Sequence, residues 1–169
     1  GSLERALASV LLARPAGRTD SDAVARASAV GSRHGMKTER LANGTLVLVS
    51  AAAGAATDQA IKAARAALAL RGEASVAVSL ATGWALVAGS LPSGDLVDRA
   101  AALLDDAAPG TIRIDDVTAG LLPSRLEVAG DAASLLLVAE GPDRPPVRRL
   151  LGRDTHCVGR DRELRTLHA

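Results

Sequence analysis

The chain has 169 residues, enough for one domain with a buried core. A net charge of +1 leaves no strong field to draw it to nucleic acid or acidic lipid, and charged residues interrupt every apolar run before membrane-spanning length. With no Phe, no Tyr and Trp84 alone, the core must come from Ala, Val, Leu and Ile, whose small side chains need many close contacts.

In chain order, Leu7 to Ala13 (LASVLLA) reads as a buried strand with the charged Arg14 behind it. Pro15-Ala16-Gly17 breaks it. Ser21 can cap a helix running through Val24, Ala25, Ala27 and Val30 to about His34, where Gly35 stops it. Met36 to Leu41 and Thr45 to Ser50 read as the arms of a hairpin around Ala42-Asn43-Gly44, and Asn-Gly is a two-residue turn signal. After the small-residue loop Ala51 to Ala56, Thr57 is expected to cap a helix with Asp58 in its first turn. Its apolar stripe is Ile61, Ala64, Ala67, Leu68 and Leu70. Ser75 to Leu80 alternates as a strand, Ala81-Thr82-Gly83 reads as a turn, and Trp84 to Ala88 as the paired strand. Ser93 or Asp95 opens a helix over Val97 to Leu104, which Pro109-Gly110 follows. Thr111 to Ile114 is a strand, Asp115 or Asp116 caps a short helix to Leu121, and Leu126 to Val128 with Ser134 to Val138 form a last antiparallel pair.

The order βα-ββ-α-ββ-α-β-α-ββ favours an α+β fold, a ferredoxin-like mixed or antiparallel sheet with helices on one face. From Gly141 the chain changes to three prolines (Pro142, Pro145, Pro146) and seven arginines. Residues 141–169 therefore read as a linker leading out of the folded domain, residues 3–140. Gly1-Ser2, with no Met ahead of it, has the form of a scar from tag removal, which suggests a piece excised from a longer protein. The sole cysteine, Cys157, excludes an internal disulfide and fits a reducing cytoplasm. The 20 basic residues include only two lysines, Lys37 and Lys62, a bias that with abundant Ala and Gly points to a GC-rich genome.

Several segments in this order resemble the class III adenylate and guanylate cyclase domain, over roughly residues 6–128. Leu11 to Thr19 (LLARPAGRT) resembles the family's strand, metal-binding Asp and Gly-x-Thr loop. Glu39 to Gly44 (ERLANG) resembles the hairpin with the second metal Asp. Ala56 to Ala60, followed by Ala63 to Arg71, resembles the central helix, and Ala81-Thr82-Gly83 the His-Thr-Gly turn. Gly94 to Leu103 (GDLVDRAAAL) resembles the Gly-Asp-x-Val-Asn-x-Ala-x-Arg-Leu helix, and Pro109-Gly110-Thr111-Ile112 the Pro-Gly-x-Ile after it. Ile114 to Leu122 resembles cyclase-like segments of large bacterial signalling proteins that join a Ser/Thr kinase to a STAND-type ATPase, and the tail's Val158-Gly159-Arg160-Asp161-Arg162-Glu163-Leu164 resembles the opening of a STAND or AAA ATPase domain, which implies that residues 141–169 are a linker and the first residues of a truncated ATPase domain. No phosphate-binding G-x-x-x-x-G-K-[ST] loop occurs in the chain.

The resemblance implies where catalysis would sit and where this sequence departs. Cyclisation by two divalent ions needs carboxylate oxygens. The first metal position carries Arg14, the second Asn43 next to Gly44. The base-selecting acid falls near Leu91, the transition-state Asn becomes Asp98, and the transition-state Arg becomes Ala102. The purine-reading Lys falls near Glu39 or Arg40. Developing phosphate charge then meets neither metal nor Arg, so the expectation is no catalytic residue, no metal and no cofactor.

Arg14, Arg18 and Arg40, with Glu39, are the candidates for direct nucleotide binding, since guanidinium forks suit phosphate oxygens. Solvated charge at strand ends is the favoured reading of these arginines. Asp115 and Asp116 read as a helix cap, not a metal site. His34 reads as a dipole partner at a helix end; His156 and His168 have no ligand spacing, and Cys157 is an ordinary thiol. Trp84 is read as core, with an interface anchor as the alternative. The mixed-charge tail has no aromatic for base stacking, so nucleic acid is not an expected partner. The function expected is a catalytically inactive, cytoplasmic regulatory or interaction domain. Its partners would be the neighbouring kinase and ATPase domains and a second copy of itself. The alternative is a sensor that binds a purine nucleotide without cyclising it.

Overall fold

The computed structural model describes residues 3–17, 21–50, 54–73, 76–89 and 91–142, with the backbone of two short strands at 149–150 and 153–154. Strand β1 (Glu4–Pro15) is the longest buried run, with Ala8 to Ala13 all inside. Such an uninterrupted apolar stretch is what a strand covered on both faces requires. It is followed by helix α1 (Ser21–Arg33), the hairpin β2 (Lys37–Arg40) and β3 (Leu46–Ser50), helix α2 (Ala56–Glu73), and strand β4 (Val76–Ala88). These units pair in the order β2-β3-β1-β4, all antiparallel, which is the ferredoxin-like arrangement. Strand β5 (Leu91–Ser93), helix α3 (Asp95–Asp105), strand β6 (Ile112–Ile114), helix α4 (Asp116–Leu121), and strands β7 (Leu126–Asp131) and β8 (Ser134–Glu140) complete the domain. Parallel pairing of β6 with β4 makes the sheet mixed, and β8 and β7 extend it. The expected α+β class is therefore the observed one.

The sheet has two covered faces. Leu11, Val78, Leu80, Ile112 and Ile114 point to α1 and α2, while Ala8, Val10, Leu12, Ala77 and Ala81 point to α3 with its Leu96, Ala100 and Leu104. Helices thus lie on both faces, not on one as the sequence suggested. The alternating small residues of β1 and β4 supply a second apolar surface that only α3 can cover. The buried side of α2 is almost wholly alanine: Ala60, Ala63, Ala64, Ala66 and Ala67 are each fully buried. Short side chains bring that helix backbone close to the sheet.

The Ala42-Asn43-Gly44 turn forms where expected, but as a three-residue loop. Leu41 N–H donates to Thr45 O at 2.8 Å and Gly44 N–H to Leu41 O at 3.0 Å, with Gly44 at φ 87. That is a type I turn closed by a glycine bulge, and Asn43 Oδ1 accepts from Thr45 N–H at 3.0 Å. Helix α2 starts at Ala56, so Thr57 lies inside its first turn and does not cap it. The residue before α3 is Gly94, with no side-chain cap, and Ser93 instead ends β5.

The largest correction concerns residues 75–88. Ala81-Thr82-Gly83 is no turn: β4 runs unbroken for 13 residues and pairs with β1 from Glu4↔Val87 to Pro15↔Val76. Two facts explain Gly83 in mid-strand. A Cβ there would stand 2.8 Å from the Arg99 guanidinium, and Thr82 beside it is fully buried with its hydroxyl bonded. The hairpin partner of β4 is instead β5, through Leu86↔Ser93 and Ala88↔Leu91. Tail residues Arg149–Leu150 and Arg153–Asp154 pair as two short strands, β9 and β10.

Candidate functional site

The residues singled out by sequence fall in three places. Four lie at one end of the sheet. Leu46 of β3 is flanked by Ala13 of β1 and Arg40 of β2, so Arg14, Glu39, Arg40 and the Asn43 loop share that end. Leu91 is exposed on β5, opposite Ala88, at the far end of β4. Asp98 and Ala102 lie on the exposed side of α3, whose buried side is Leu96, Ala100 and Leu104. A single chain does not gather them into one groove. Arg18 and the tail residues His156, Cys157 and His168 lie outside the described residues.

Arg14 is already engaged. Its Nη2 donates to the carbonyl oxygen of Leu104 at 2.9 Å, and Nη1 stands 3.8 Å from Asp105 Oδ1. The last carbonyls of a helix lack intrahelical donors and carry partial negative charge, so a guanidinium there closes the C-terminus of α3. Asn43 spends its amide oxygen on Thr45 N–H. These two residues therefore offer a divalent cation no carboxylate and one amide oxygen that is already taken, which does not fit a two-metal site. Among the described residues no three or more His, Cys, Asp or Glu side chains converge.

A buried polar cluster lies between the ends of the sheet, unannounced by the sequence except as hydroxyls inside apolar runs. Thr82 Oγ1 is 3.0 Å from Ser9 Oγ and accepts from Thr118 Oγ1 at 3.0 Å. Asp115 caps α4 by accepting from Thr118 N–H at 2.9 Å through Oδ1. Its other oxygen, Oδ2, lies 3.6 Å from Arg99 Nη2, which donates to Thr82 O at 3.1 Å. Arg99 thus reaches from α3 on one face to α4 on the other, past the point where β6 stops pairing with β4. On the α3 side Ser79 Oγ donates to Ala100 O at 2.7 Å. The whole cluster serves structure: it pins α3 and α4 to β4. The expected cap at Asp115 is present, and Asp116 Oδ1 accepts from the neighbouring Val117 N–H at 2.9 Å.

His34 follows α1, and its imidazole is held below its ordinary pKa by burial first and then by Arg33 and Arg65. That shift works against the cationic dipole role expected of it, and Arg33 is the basic residue of that last turn. Glu140 takes Arg65 Nη2 at 2.9 Å and Nε at 3.1 Å on one oxygen, and its carboxyl is held low chiefly by that bond. Trp84 is 60% exposed and so is no core residue. Arg5 lies over its ring, 5.2 Å from the centroid. The two border a groove of about 290 Å³ whose other walls are Leu86, Ser93, Gly94 and Asp95.

No protein-family model and no curated protein sequence matches the chain. Solved structures do. The adenylyl cyclase CyaB from P. aeruginosa superposes with a TM-score of 0.70 at 13% identity, covering 85% of this chain and 100% of that one. The monomeric guanylyl cyclase domain of the RhoGC fusion protein from the aquatic fungus Blastocladiella emersonii gives 0.68 at 14% identity, covering 83% and 99%. The guanylate cyclase domain of RhGC from Catenaria anguillulae, solved in complex with GTP, gives 0.64 at 16% identity, covering 81% and 99%. At these identities the likeness is one of fold. The chain has the fold of adenylyl and guanylyl cyclase domains, and no helix among its described residues is long and apolar enough to cross a membrane.

Proposed function

We propose that this domain is a catalytically inactive, cyclase-like regulatory and interaction module of a larger bacterial signalling protein, set between a Ser/Thr kinase and a STAND-type ATPase and able to associate with a second copy of itself. The observation that carries the inactive reading is Arg14. At the place where the resemblance puts a metal-binding carboxylate, the chain has a guanidinium bonded to Leu104 O and beside Asp105. A cation in that position repels Mg²⁺ or Mn²⁺, and with Asn43 in the second position the triphosphate charge goes unneutralised. Asp98 and Ala102 add a negative charge and remove a positive one where phosphate charge would develop.

The test is calorimetric titration with ATP, GTP and their cyclic products, each with and without Mg²⁺ or Mn²⁺, alongside an assay for cyclic product. The expected result is no product and no metal-dependent heat. Product formation overturns the reading. Saturable binding without turnover moves the function to the nucleotide sensor, for which Arg14, Arg18, Glu39 and Arg40 are the residues to substitute.

A further inference from the structure

The last residues of β8 are held by side chains more than by the sheet. Strand β6 pairs with β8 only at Arg113↔Leu136 and Ile114↔Leu135, so residues 137–140 have no strand beside them on that side among the described residues. On the other side β7 pairs Leu137 with Val128 and Ala139 with Glu127, and the register shift between Glu127 and Val128 leaves Val138 opposite no residue. Ladder bonds are thus fewest where the chain leaves the sheet, and backbone carbonyls there need other donors.

Helix α2 supplies them. Arg71, the basic residue of its last turn, donates through Nη2 to Val138 O at 2.6 Å and through Nη1 to Leu137 O at 3.4 Å. A cation in a last turn commonly serves the free carbonyls of its own helix; this one reaches to β8. Arg65 grips Glu140 as a fork: Nη2 and Nε donate to Oε1 at 2.9 and 3.1 Å, and Nε stands 3.3 Å from Oε2. Arg125 adds a third hold. Its Nε is 3.7 Å from Glu140 Oε1, and its carbonyl oxygen accepts from Gly141 N–H at 2.7 Å. Arg65 and Arg71 are six residues apart, about 9 Å along the helix axis. They meet Glu140 and Val138 in reverse chain order, so helix and strand end are joined at two separate points.

Packing alone fixes α2 weakly along the sheet. Every buried residue between Ala60 and Ala67 is alanine. Alanine ridges are shallow, and a helix with shallow ridges resists an axial shift less than one with deep ones. Small sliding of packed helices is an established form of domain motion.

We propose that Arg65 and Arg71 couple the end of β8 to α2, so that a shift of α2 moves the point at which the chain leaves the domain at Gly141. Both are positioning residues, acting through Glu140 and through the carbonyls of Leu137 and Val138. The coupling goes beyond the inactive module proposed above and does not depend on it: a domain that bound nucleotide would have it too.

Coupling is reciprocal, so it can be read from either end. The experiment is hydrogen exchange of the whole chain, followed in α2, in residues 134–141 and in β1 and β4, with circular dichroism confirming that each variant is folded. Arg71→Ala and Arg65→Ala should each speed exchange in residues 137–141 about fivefold, as loss of a partly exposed charged hydrogen bond does. Arg65→Lys, which keeps the charge without the fork, should fall between Arg65→Ala and wild type. Glu140→Ala changes nothing on α2, yet it should speed exchange in residues 65–71 by a similar factor while β1 and β4 keep their rates. Loosening confined to residues 137–141 in Glu140→Ala overturns the coupling and leaves a local surface bond. Equal loosening of β1 and β4 overturns it as well, since the whole domain then opens as one. No response in either segment to any variant shows that the arginines position nothing.

Discussion

Arg14 and Leu104 stand 90 residues apart in the chain, yet a guanidinium nitrogen of the first donates to the carbonyl oxygen of the second at 2.9 Å. The bond ties the end of the central strand to the end of the helix on its outer face. Removing it with Arg14→Ala should cost about 1 kcal/mol, the low end for a charged hydrogen bond because the side chain is nearly half exposed. The midpoint of urea unfolding should fall with an unchanged slope. Arg14→Lys, which keeps the charge and loses the fork, should recover part of it.

The double variant Arg14→Asp/Asn43→Asp restores both carboxylates at the family's metal positions. It also places a carboxylate against the Leu104 carbonyl and Asp105. The expected outcome is a lower melting temperature without metal. A large rise on adding Mn²⁺ would show that the double variant has regained a metal site, since a ligand bound only by the folded state stabilises it. The rest of the site, with Asp98 and Ala102, should still yield no cyclic product.

Asp115 does two jobs, capping α4 through one oxygen and facing Arg99 with the other. Asp115→Asn keeps an oxygen for Thr118 N–H and loses the ion pair; Asp115→Ala loses both. The alanine variant should be less stable by about 1–2 kcal/mol, and the asparagine variant should lie between it and wild type. Chemical denaturation of the two separates the cap from the charge. If they coincide, the cap contributes nothing beyond the ion pair.

Thr82→Val preserves shape and strips the hydroxyl that Ser9 and Thr118 share. It should cost about 1–3 kcal/mol, because two buried hydroxyls lose a partner. Adding Ser9→Ala and Thr118→Val should cost much less than the sum of the single changes, since the unmet groups are then gone too. Equilibrium unfolding of the single and triple variants measures the difference.

Acid should weaken the domain in two stages. The folded state holds His34 below its ordinary pKa of 6.5, so the unfolded chain takes up that proton first. The His34 contribution is whole above that value and is lost as pH falls through it toward the folded-state value. Glu140, held low by Arg65, gives way only as pH falls below the ordinary carboxylate value of 4.5. Melting temperature against pH should show both steps, and His34→Asn should flatten the first.

What could be read from sequence and what could not divides along one line. Local chemistry was legible: Asn43-Gly44 as a turn, Asp115 as a cap, the unbroken apolar run of β1 and the α+β order. Elements decided by distant contacts were not. Gly83 reads as a breaker, yet it sits in a 13-residue strand because Arg99 crosses over it. Leu91-Pro92-Ser93 has little strand character and becomes one by pairing with β4. The candidate site followed the same rule. The charges at Arg14 and Asn43 were plain, but their partners, a helix-end carbonyl and a neighbouring amide, appear only once the chain is folded.

The alanine face of α2 sets the direction in which this sequence can drift. Ala60, Ala63, Ala64, Ala66 and Ala67 are fully buried, with no longer side chain to trim. A single base change turns an alanine codon into Gly, Ser, Thr, Pro, Val, Asp or Glu. Glycine and proline weaken a helix, and the others add bulk, a polar group or a charge to a packed interior. Nearly every one-step neighbour of this stretch is therefore worse than the residue present. Helix α2 is an evolutionary dead end held in place by its own smallness, while exposed positions such as Asp98 and Ala102 on α3 remain free to wander.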